Sequence, residues 1–338
     1  MSTDGFRLRA DLDYVLPLRW EDDSALDELT SYLSRLSRHV RRVIIVDSSP
    51  AQLRAAHQTA WNGMVDHVLF TPAGTSNGKV DAVHRGLDRV SAPLVVVADD
   101  DVRWSREGLV NAVALVRGAD LVSPQNYFEP APWHAQWDTG RTLFNRSFGH
   151  DYPGTFVLRR SAFDEAGGYD AEVLFENLEL LRTFEASRLR VVHAPELMVR
   201  RLPSSTSKFR AQRVRQAYDD FAQPIRAGGF LAIVPAFLAL GMSQPLVATA
   251  VAPLSAVLLV LLAERGRRLR DGHRTWPWWY TLWTPIWTIE RALCIWVAVA
   301  WWLSGGVPYA GARLKVAAHS KRALERRQLT TPQKLTHA

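Results

Sequence analysis

Apolar and polar positions alternate regularly over the first two thirds of the chain, as short apolar runs separated by amphipathic stretches. The apolar runs predict strands at 14–18, 43–46, 67–70 and 94–98, and leucine or valine spacings of three and four predict helices near 24–36, 51–61 and 80–90. An alternation of strands and helices is typical of a doubly wound α/β sheet. We therefore expect an α/β domain over residues 1–222.

The pattern changes after residue 222, where long stretches become apolar. No charged residue lies from Gly228 to Ala263, and this segment is longer than one membrane span of about 20 residues. The turn at 241–245 indicates a helical hairpin, although a buried hairpin in a soluble domain has the same pattern. The Trp-rich stretch 276–305 is interrupted by Glu290-Arg291, which favours re-entrant or interfacial helices.

Five segments are therefore expected along the chain. They are the α/β domain at 1–222, a membrane helical hairpin at 223–263, a basic cytoplasmic loop at 264–275, Trp-rich membrane or interfacial helices at 276–305, and a basic cytoplasmic tail at 306–338. Basic residues in the loop and the tail favour the cytoplasmic side for both.

The charge and the cysteine content indicate which binding partners and which cellular compartment to expect. The formal net charge of +7 is concentrated beside the apolar segments, which favours an anionic membrane surface over nucleic acid. The single cysteine, Cys294, excludes a disulfide within the chain and is typical of a reducing compartment. The first residues carry no apolar segment of a secretory signal, so we expect the α/β domain on the cytoplasmic face of the cell membrane.

Three carboxylates, Asp99, Asp100 and Asp101, directly follow the apolar run at 94–98. Ligands of open α/β sheets bind beyond the carboxyl ends of strands, and adjacent acids repel one another unless a cation joins them. Carboxylate oxygens are the ligands that Mg²⁺ and Mn²⁺ prefer. The segment predicts a divalent metal site that in turn holds phosphate, with a solvated acidic turn as the alternative.

Two further stretches carry candidate binding chemistry. Lys79 follows a glycine-flanked loop that opens a helix, where free N–H groups and the helix dipole favour an anion, although a solvated helix residue fits equally. Aromatic residues then cluster at 127–148 and include Trp133 and Trp137. They form either a packed loop region or a platform on which a sugar or lipid acceptor stacks.

Six motifs in order resemble those of the family 2 glycosyltransferases, which have the GT-A fold. The motifs are Val46-Asp47-Ser48-Ser49, Gly78-Lys79-Val80-Asp81, Asp99-Asp100-Asp101-Val102, Gly154 through Arg160 with Gly167-Gly168-Tyr169-Asp170, Glu176-Asn177, and Gln212-Arg213-Val214-Arg215-Gln216. The resemblance covers about residues 10–220. It implies a GT-A-type doubly wound mixed sheet, to which a C-terminal α-helical membrane region is added.

The resemblance also implies site residues and an activity. Asp47, Lys79, Asp99 and Asp101 would bind a nucleotide-sugar donor, and Asp99 and Asp101 would hold Mg²⁺ or Mn²⁺ while Asp100 points away. The acceptor side would comprise Gly154, Trp133, Trp137, Asn177, Gln212, Arg213 and Arg215. The implied activity is metal-dependent, inverting hexosyl transfer to a lipid or lipid-linked acceptor, and it is non-processive because Gln216 replaces a tryptophan of the motif.

Asn177 stands where the family places its catalytic aspartate, and an amide cannot accept a proton in this role. We therefore predict that the neighbouring Glu176 is the base, with Glu179 as the other candidate on the same helix face. Glu176 could instead only satisfy the helix N-terminus. The alternative functions are a catalytically inactive membrane scaffold, which Asn177 motivates, and a sugar nucleotidyltransferase, which the glycine-free loop at 19–21 disfavours.

Overall fold

A computed structural model of the chain describes residues 8–72, 77–309 and 312–330. Its strands are β1 (Leu12–Leu18), β2 (Arg42–Asp47), β3 (Asp66–Leu69), β4 (Leu94–Ala98), β5 (Val102–Arg103), β6 (Leu121–Phe128), β7 (Thr155–Arg159) and β8 (Val191–Arg201). They form one mixed sheet in the order β3-β2-β1-β4-β7-β6-β8-β5. Strands β3, β2, β1 and β4 are parallel, whereas β7 is antiparallel to both β4 and β6.

Helices cover both faces of this sheet. They are α1 (Leu8–Asp11), α2 (Leu26–Leu36), α3 (Ala51–Trp61), α4 (Gly78–Leu87), α5 (Arg106–Val116), α6 (Trp133–Arg146), α7 (Arg160–Glu165), α8 (Glu176–Ala186), α9 (Thr206–Ala211) and α10 (Arg213–Tyr218). Side chains of β1 alternate between two cores: Tyr14 packs with α2 and α5, and Val15 packs with α4 and α8. Burial on both faces explains why the strands are nearly continuous apolar runs, and the predicted α/β class is confirmed.

The register brings several strand ends together. Leu18 at the end of β1 pairs with Asp47 of β2, and Val15 of β1 pairs with Val97 of β4. The acidic segment that follows β4 therefore lies at the same edge of the sheet as the ends of the parallel strands β1 and β2. Of the glycine-flanked loop that precedes α4, residues 73–76 lie outside the described residues.

Three longer helices follow the α/β domain. They are α11 (Pro224–Ser243), α12 (Pro245–Arg268) and α13 (Trp283–Leu303), and all three are long and apolar enough to cross a membrane. The chain turns between Ser243 and Pro245, inside the segment where the sequence predicts a hairpin turn. Side chains near this turn are open to the surroundings, with Met242 81% and Leu246 85% exposed.

Helix α13 packs against the α/β domain from Thr284 to Ala298. At its start, Thr284 Oγ1 donates to the carbonyl of Gly140 at 3.0 Å, and a Cβ at Gly140 would lie only 2.8 Å from the backbone of Trp283. Near its end, Ile295 and Ala298 are buried in an apolar cluster that includes residues of α10. One face of α13 is therefore covered by the domain.

The charged pair that interrupts the apolar pattern of α13 faces the domain as well. Glu290 Oε2 accepts a hydrogen bond from Trp137 Nε1 at 2.8 Å and lies 3.5 Å from Arg213 Nη1. Arg291 is only 1% exposed, and its Nη1 lies 3.6 Å from Asp220 Oδ2. Pairing with side chains of the domain explains how two charges are tolerated inside an apolar helix.

The described part of the C-terminal segment packs on the α/β domain. It contains β9 (Val307–Tyr309), β10 (Ala312–Leu314) and α14 (Lys321–Thr330), which contacts α8. Val316 forms a parallel bridge with Val173, and the Phe175 N–H donates to the Ala317 carbonyl at 2.7 Å. Residues 312–330 of the predicted tail therefore belong with the domain, while residues 310–311 and 331–338 lie outside the described residues.

Candidate functional site

The acidic segment begins where β4 ends and is held there by its antiparallel neighbour. The Asp99 N–H donates to the carbonyl of Gly154, which directly precedes β7, at 2.8 Å. A Cβ at position 154 would lie 2.4 Å from Asp99 Oδ2 and 3.0 Å from Arg201 Nη1. The close approach therefore requires glycine, and the structure brings Gly154 against the carboxylate predicted to bind the donor and the metal.

Lys79, in the first turn of α4, joins two of the predicted site residues. Its Nζ lies 2.5 Å from Asp99 Oδ1 and 2.6 Å from Glu176 Oε1. The Asn77 side chain caps this helix by accepting from the Lys79 N–H at 3.2 Å. Burial opposes the charge on Lys79, but Asp99 and Glu176 outweigh it and raise the lysine pKa above its usual range.

Arg201, the last residue of β8, completes the cluster on the other side. Its Nη2 lies 3.2 Å from Asp99 Oδ2, and its Nε lies 2.9 Å from Asp101 Oδ2. Burial disfavours the ionised form of Asp99, but Lys79 and Arg201 outweigh burial and keep the pKa of this carboxyl below its usual value. Arg201 was not predicted from the sequence, where the only signal for it is a basic pair, Arg200-Arg201, at the end of a strand.

The donor set of this cluster fits a hard divalent cation. Three carboxylates face two cations, so the cluster of Lys79, Asp99, Asp101, Glu176 and Arg201 retains negative charge. Asp101 Oδ1 is buried without a hydrogen-bond partner among the described residues. Burial, together with the neighbouring acids, raises the pKa of Asp101 to about 6. A buried, unpaired carboxylate oxygen with excess negative charge is a ligand suited to Mg²⁺ or Mn²⁺.

Asp100 is turned to a different partner from its two neighbours. Its Oδ2 accepts a hydrogen bond from Trp20 Nε1 at 2.5 Å. Trp20 lies in the loop after β1, and its own N–H donates to Ser49 Oγ at 2.9 Å. The central carboxylate of the motif therefore ties the acidic segment to the loops that follow β1 and β2.

The two predicted bases have different surroundings. Glu176 opens α8 and accepts from Lys79, and Asn177 follows it in a partly exposed position. Glu179 is fully buried. Its Oε2 accepts a hydrogen bond from the backbone N–H of His319 at 2.7 Å, and its Oε1 lies 2.8 Å from His319 Nδ1. Glu176 is thus joined to the charged cluster, whereas Glu179 is engaged by the C-terminal segment.

Asp219 is a further candidate that the sequence analysis missed. It begins a short 3₁₀ turn (Asp219–Ala222) directly after α10, and its Oδ1 is buried without a hydrogen-bond partner among the described residues. Burial raises its pKa to about 7, with the charge of Glu176 adding to the shift and Arg215 opposing it. A carboxyl group with a pKa raised toward neutral pH, whose charge interacts with that of Glu176, suits general base catalysis. The only sequence signal for Asp219 is its position four residues after Arg215.

The predicted acceptor-side residues fall into two groups. Trp137 Nε1 donates a hydrogen bond to Glu290 of α13. Arg213 lies near the same glutamate, and its Nη1 is 2.7 Å from Asp138 Oδ1. Trp133, in contrast, is 42% exposed while its ring centre lies 6.3 Å from that of Trp137. Trp133 therefore remains open for stacking, whereas the other two hold α13 against the domain.

Two other predicted acceptor-side residues, Gln212 and Arg215, lie around the start of α10. Gln212 links α9 to α10, and Arg215 is partly exposed within α10. Both lie on the element that leads into Asp219, and so the predicted acceptor motif ends next to this carboxylate.

Asp47 lies apart from the cluster around Asp99. Its side chain is fully buried at the end of β2, where Oδ2 lies 2.7 Å from His57 Nδ1 and 3.0 Å from His67 Nε2. Burial disfavours its charged form, but hydrogen bonds from both histidines outweigh burial and lower its pKa. The carboxylate predicted to contact the nucleotide is therefore fully engaged inside the domain.

Comparison with known proteins identifies the fold. No protein-family profile and no curated protein matches the sequence. The mannosyltransferase PcManGT from Pyrobaculum calidifontis, solved in complex with GDP-Man and Mn²⁺, is similar in structure with a TM-score of 0.56 at 17% identity. The match covers 85% of this chain and 87% of that one.

Two structures of S. aureus TarS 1–349 are similar to a lesser degree. The TM-scores are 0.44 and, for the complex with UDP-GlcNAc, 0.45, at 13% and 11% identity. Each match covers 65% of this chain, and 65% or 66% of TarS.

The chain therefore shares the fold of PcManGT. The likeness to PcManGT shows a mixed α/β sheet followed by apolar helices, which confirms the fold class predicted from the sequence.

Proposed function

We propose that the chain is a membrane-attached glycosyltransferase of family 2 that moves a hexosyl group from a nucleotide-sugar donor to a lipid or lipid-linked acceptor. The transfer would be inverting and non-processive. The observation that carries the proposal is the cluster of Lys79, Asp99, Asp101 and Arg201 at the carboxyl end of β4, in a glycosyltransferase-type fold. Opposite charges at this edge suit a nucleoside diphosphate and its cation.

Each residue of the cluster has a proposed role. Asp99 and Asp101 would hold Mg²⁺ or Mn²⁺, and the bound ion would neutralise the diphosphate as it leaves the sugar. Lys79 and Arg201 already lie against these carboxylates and would donate to diphosphate oxygens. The complex of PcManGT with GDP-Man and Mn²⁺ supports this kind of donor and metal.

The proton acceptor is proposed to lie at the start of α8. Glu176 stays the predicted base, and its Oε1 lies 2.6 Å from Lys79 Nζ. Asp219 is the second candidate because of its raised pKa of about 7. Glu179 stays a predicted base and Asp47 a predicted donor-binding residue. Their buried contacts with histidines favour a structural contribution from both.

Membrane attachment is proposed to occur through α11, α12 and the outer face of α13. The hairpin of α11 and α12 exposes large apolar side chains such as Leu254 at 69% and Leu261 at 61%. The tryptophans Trp278, Trp296 and Trp302 are 45% exposed or more, as suits a helix at headgroup depth. The α/β domain would lie on the cytoplasmic face.

Nucleotide binding tests the donor site without knowledge of the acceptor. Purified protein in detergent would be heated with GDP, UDP, ADP, TDP or CDP, each with and without Mn²⁺. One diphosphate should raise the Tm in the presence of Mn²⁺ only, while its monophosphate serves as the matched control. If no diphosphate raises the Tm with Mn²⁺, the donor site is refuted.

A specific observation also favours an inactive scaffold. Asn177 lacks a proton-accepting group, and the adjacent Glu176 is ion-paired with Lys79. A scaffold would bind the diphosphate but would neither hydrolyse nor transfer sugar from the matching nucleotide sugar. A sugar nucleotidyltransferase would instead release pyrophosphate from a nucleoside triphosphate and a sugar phosphate.

Cysteine labelling tests the proposed topology. In a Cys294→Ser background, single cysteines in the α/β domain and in α14 should be labelled from the cytoplasmic side only. Labelling of a cysteine in α14 only from outside the cell would refute an even number of crossings.

A further inference from the structure

A second group of metal-ligating side chains lies around β2 and the edge strand β3, on the far side of β1 from the acidic segment. Asp47 ends β2, His57 lies in α3, and His67 lies in the edge strand β3. One carboxylate oxygen and two imidazole nitrogens from these residues lie within 4.8 Å of one another. We propose that Asp47, His57 and His67 bind one divalent transition metal ion, Zn²⁺ by ligand chemistry, at a site separate from Asp99 and Asp101.

The ligand atoms already converge. Asp47 Oδ2 lies 2.7 Å from His57 Nδ1 and 3.0 Å from His67 Nε2. Zinc binds imidazole nitrogen and carboxylate oxygen at about 2.0–2.2 Å, so ligand atoms of a tetrahedral site are about 3.4 Å apart. The two oxygen–nitrogen separations need to lengthen by less than about 1 Å, which small side-chain rotations supply.

Outer hydrogen bonds orient two of the three ligands. His57 Nε2, the nitrogen turned away from Asp47, lies 2.9 Å from Asp23 Oδ1. A carboxylate behind a ligating histidine fixes the ring and its tautomer, as in many zinc proteins. Asp47 Oδ1 likewise accepts from the Ser49 N–H at 2.9 Å, which leaves Oδ2 for the ion.

Charge balance favours a divalent ion over other cations in this position. Among the described residues, the ion-pair partners of Asp47 and Asp23 are His57 and His67 only. Two buried or partly buried carboxylates without lysine or arginine are neutralised completely by one divalent ion. The metal-free alternative is direct contact of His57 with both acids, with its ring stacked on Trp61 at 4.8 Å between ring centres.

The other histidine-containing cluster of the described residues has a carboxylate that is already paired with an arginine. Asp170, Glu179 and His319 also lie close together, but Arg327 Nη1 is 2.6 Å from Asp170 Oδ2. The same guanidinium lies 3.0 Å from His319 Nε2. A cation already lies at that cluster, which makes it a matched control.

The proposed ion would stabilise the loops that support the acidic segment. The site joins the end of β2, helix α3, strand β3 and the loop carrying Asp23. Trp20 packs edge-on against His57 with ring centres 5.6 Å apart, and its Nε1 donates to Asp100. The metal site is thus structural and stands whether or not the chain transfers sugar.

Metal content of the full-length protein tests the proposal. Detergent-purified protein would be stripped with chelator, reloaded with ZnCl₂ or CoCl₂, desalted and measured by elemental mass spectrometry. We expect one ion per chain in the wild type, in the double variant Asp99→Asn with Asp101→Asn, and in the control His319→Gln. His67→Gln should lose the ion and its effect on Tm.

Several outcomes would overturn the site. They are a wild type without tightly bound zinc or cobalt, full metal content in His67→Gln, and loss of the ion in the double variant. Should His67→Gln fail to fold, zinc-edge X-ray absorption of the wild type decides the matter, because two imidazoles and a carboxylate are expected. A shell of oxygens alone would refute the assignment.

Discussion

Replacing Asp219 by asparagine tests whether this carboxyl group is protonated in the folded protein near neutral pH. The carboxyl follows α10 directly, and its Oδ1 is buried without a hydrogen-bond partner among the described residues. Burial raises its pKa from 3.8 to about 7; the charge of Glu176 adds to this shift, and Arg215 opposes it. The substituted asparagine side chain would be a neutral amide of nearly the same shape.

The sign and size of the effect follow from proton linkage. The pKa of Asp219 is higher in the folded protein than in the unfolded chain, so protonation of this carboxyl group stabilises the fold. This stabilisation is fully present below about pH 4 and is lost as pH rises through about 7. Between pH 5 and pH 7 the wild type should lose about 1.4 kcal/mol per pH unit relative to Asp219→Asn. Partial exposure of the Asp219 side chain reduces this loss through solvent screening, so we expect a relative change of about 1–3 kcal/mol from pH 5 to pH 8.

Unfolding monitored by intrinsic fluorescence measures this difference, since the chain contains 13 tryptophans. The Tm of Asp219→Asn minus that of the wild type should increase from pH 5 to pH 7 and remain level above pH 7. Asp164→Asn, which removes an exposed carboxylate paired with Arg160, controls for the substitution itself. A Tm difference that is the same at every pH would refute the raised pKa of Asp219.

Four further substitutions test the proposed donor site and base. Asp101→Asn should abolish Mn²⁺-dependent nucleotide binding in calorimetry and Asp100→Asn should not, so unchanged binding by Asp101→Asn would contradict the metal assignment. Gly154→Ala should weaken the same binding at least about tenfold, because its Cβ would lie 2.4 Å from Asp99 Oδ2; an unaltered Kd would show that this carboxylate tolerates displacement. Glu176→Gln should lower turnover at least about a hundredfold with Tm and donor binding nearly unchanged, whereas a change within a few-fold would exclude Glu176 as the base.

The parallel half of the sheet was predictable because each of its strands and helices has a hydrophobic pattern within its own residues. The predicted strand at 94–98 matches β4, and the helix predicted at 51–61 matches α3. Runs of apolar residues between amphipathic helices follow from burial on both sheet faces, so each element can be recognised from its own residues. The antiparallel insertion of β7 between β4 and β6 depends on pairing between strands far apart in the chain, which no local pattern encodes.

The candidate site was predictable only where it follows a strand that the sequence reveals. Asp99, Asp101 and Lys79 were found in this way, and the structure brings Asp99 and Lys79 into contact at 2.5 Å. Arg201 was missed because it reaches the same carboxylates from the end of β8, in a distant part of the chain. Asp219 was missed because its raised pKa arises from burial, which depends on packing.

The Glu290-Arg291 pair joins α13 to the α/β domain. A charged pair inside an apolar helix is costly unless partners compensate for it, and here Arg213 and Asp220 of the domain provide that compensation. If α13 crossed the bilayer, these four charges would lose their partners. We therefore infer that α13 stays on the domain side, in the plane of the membrane surface. The chain can then return to α8, where His319 reaches Glu179, one helical turn beyond the predicted base.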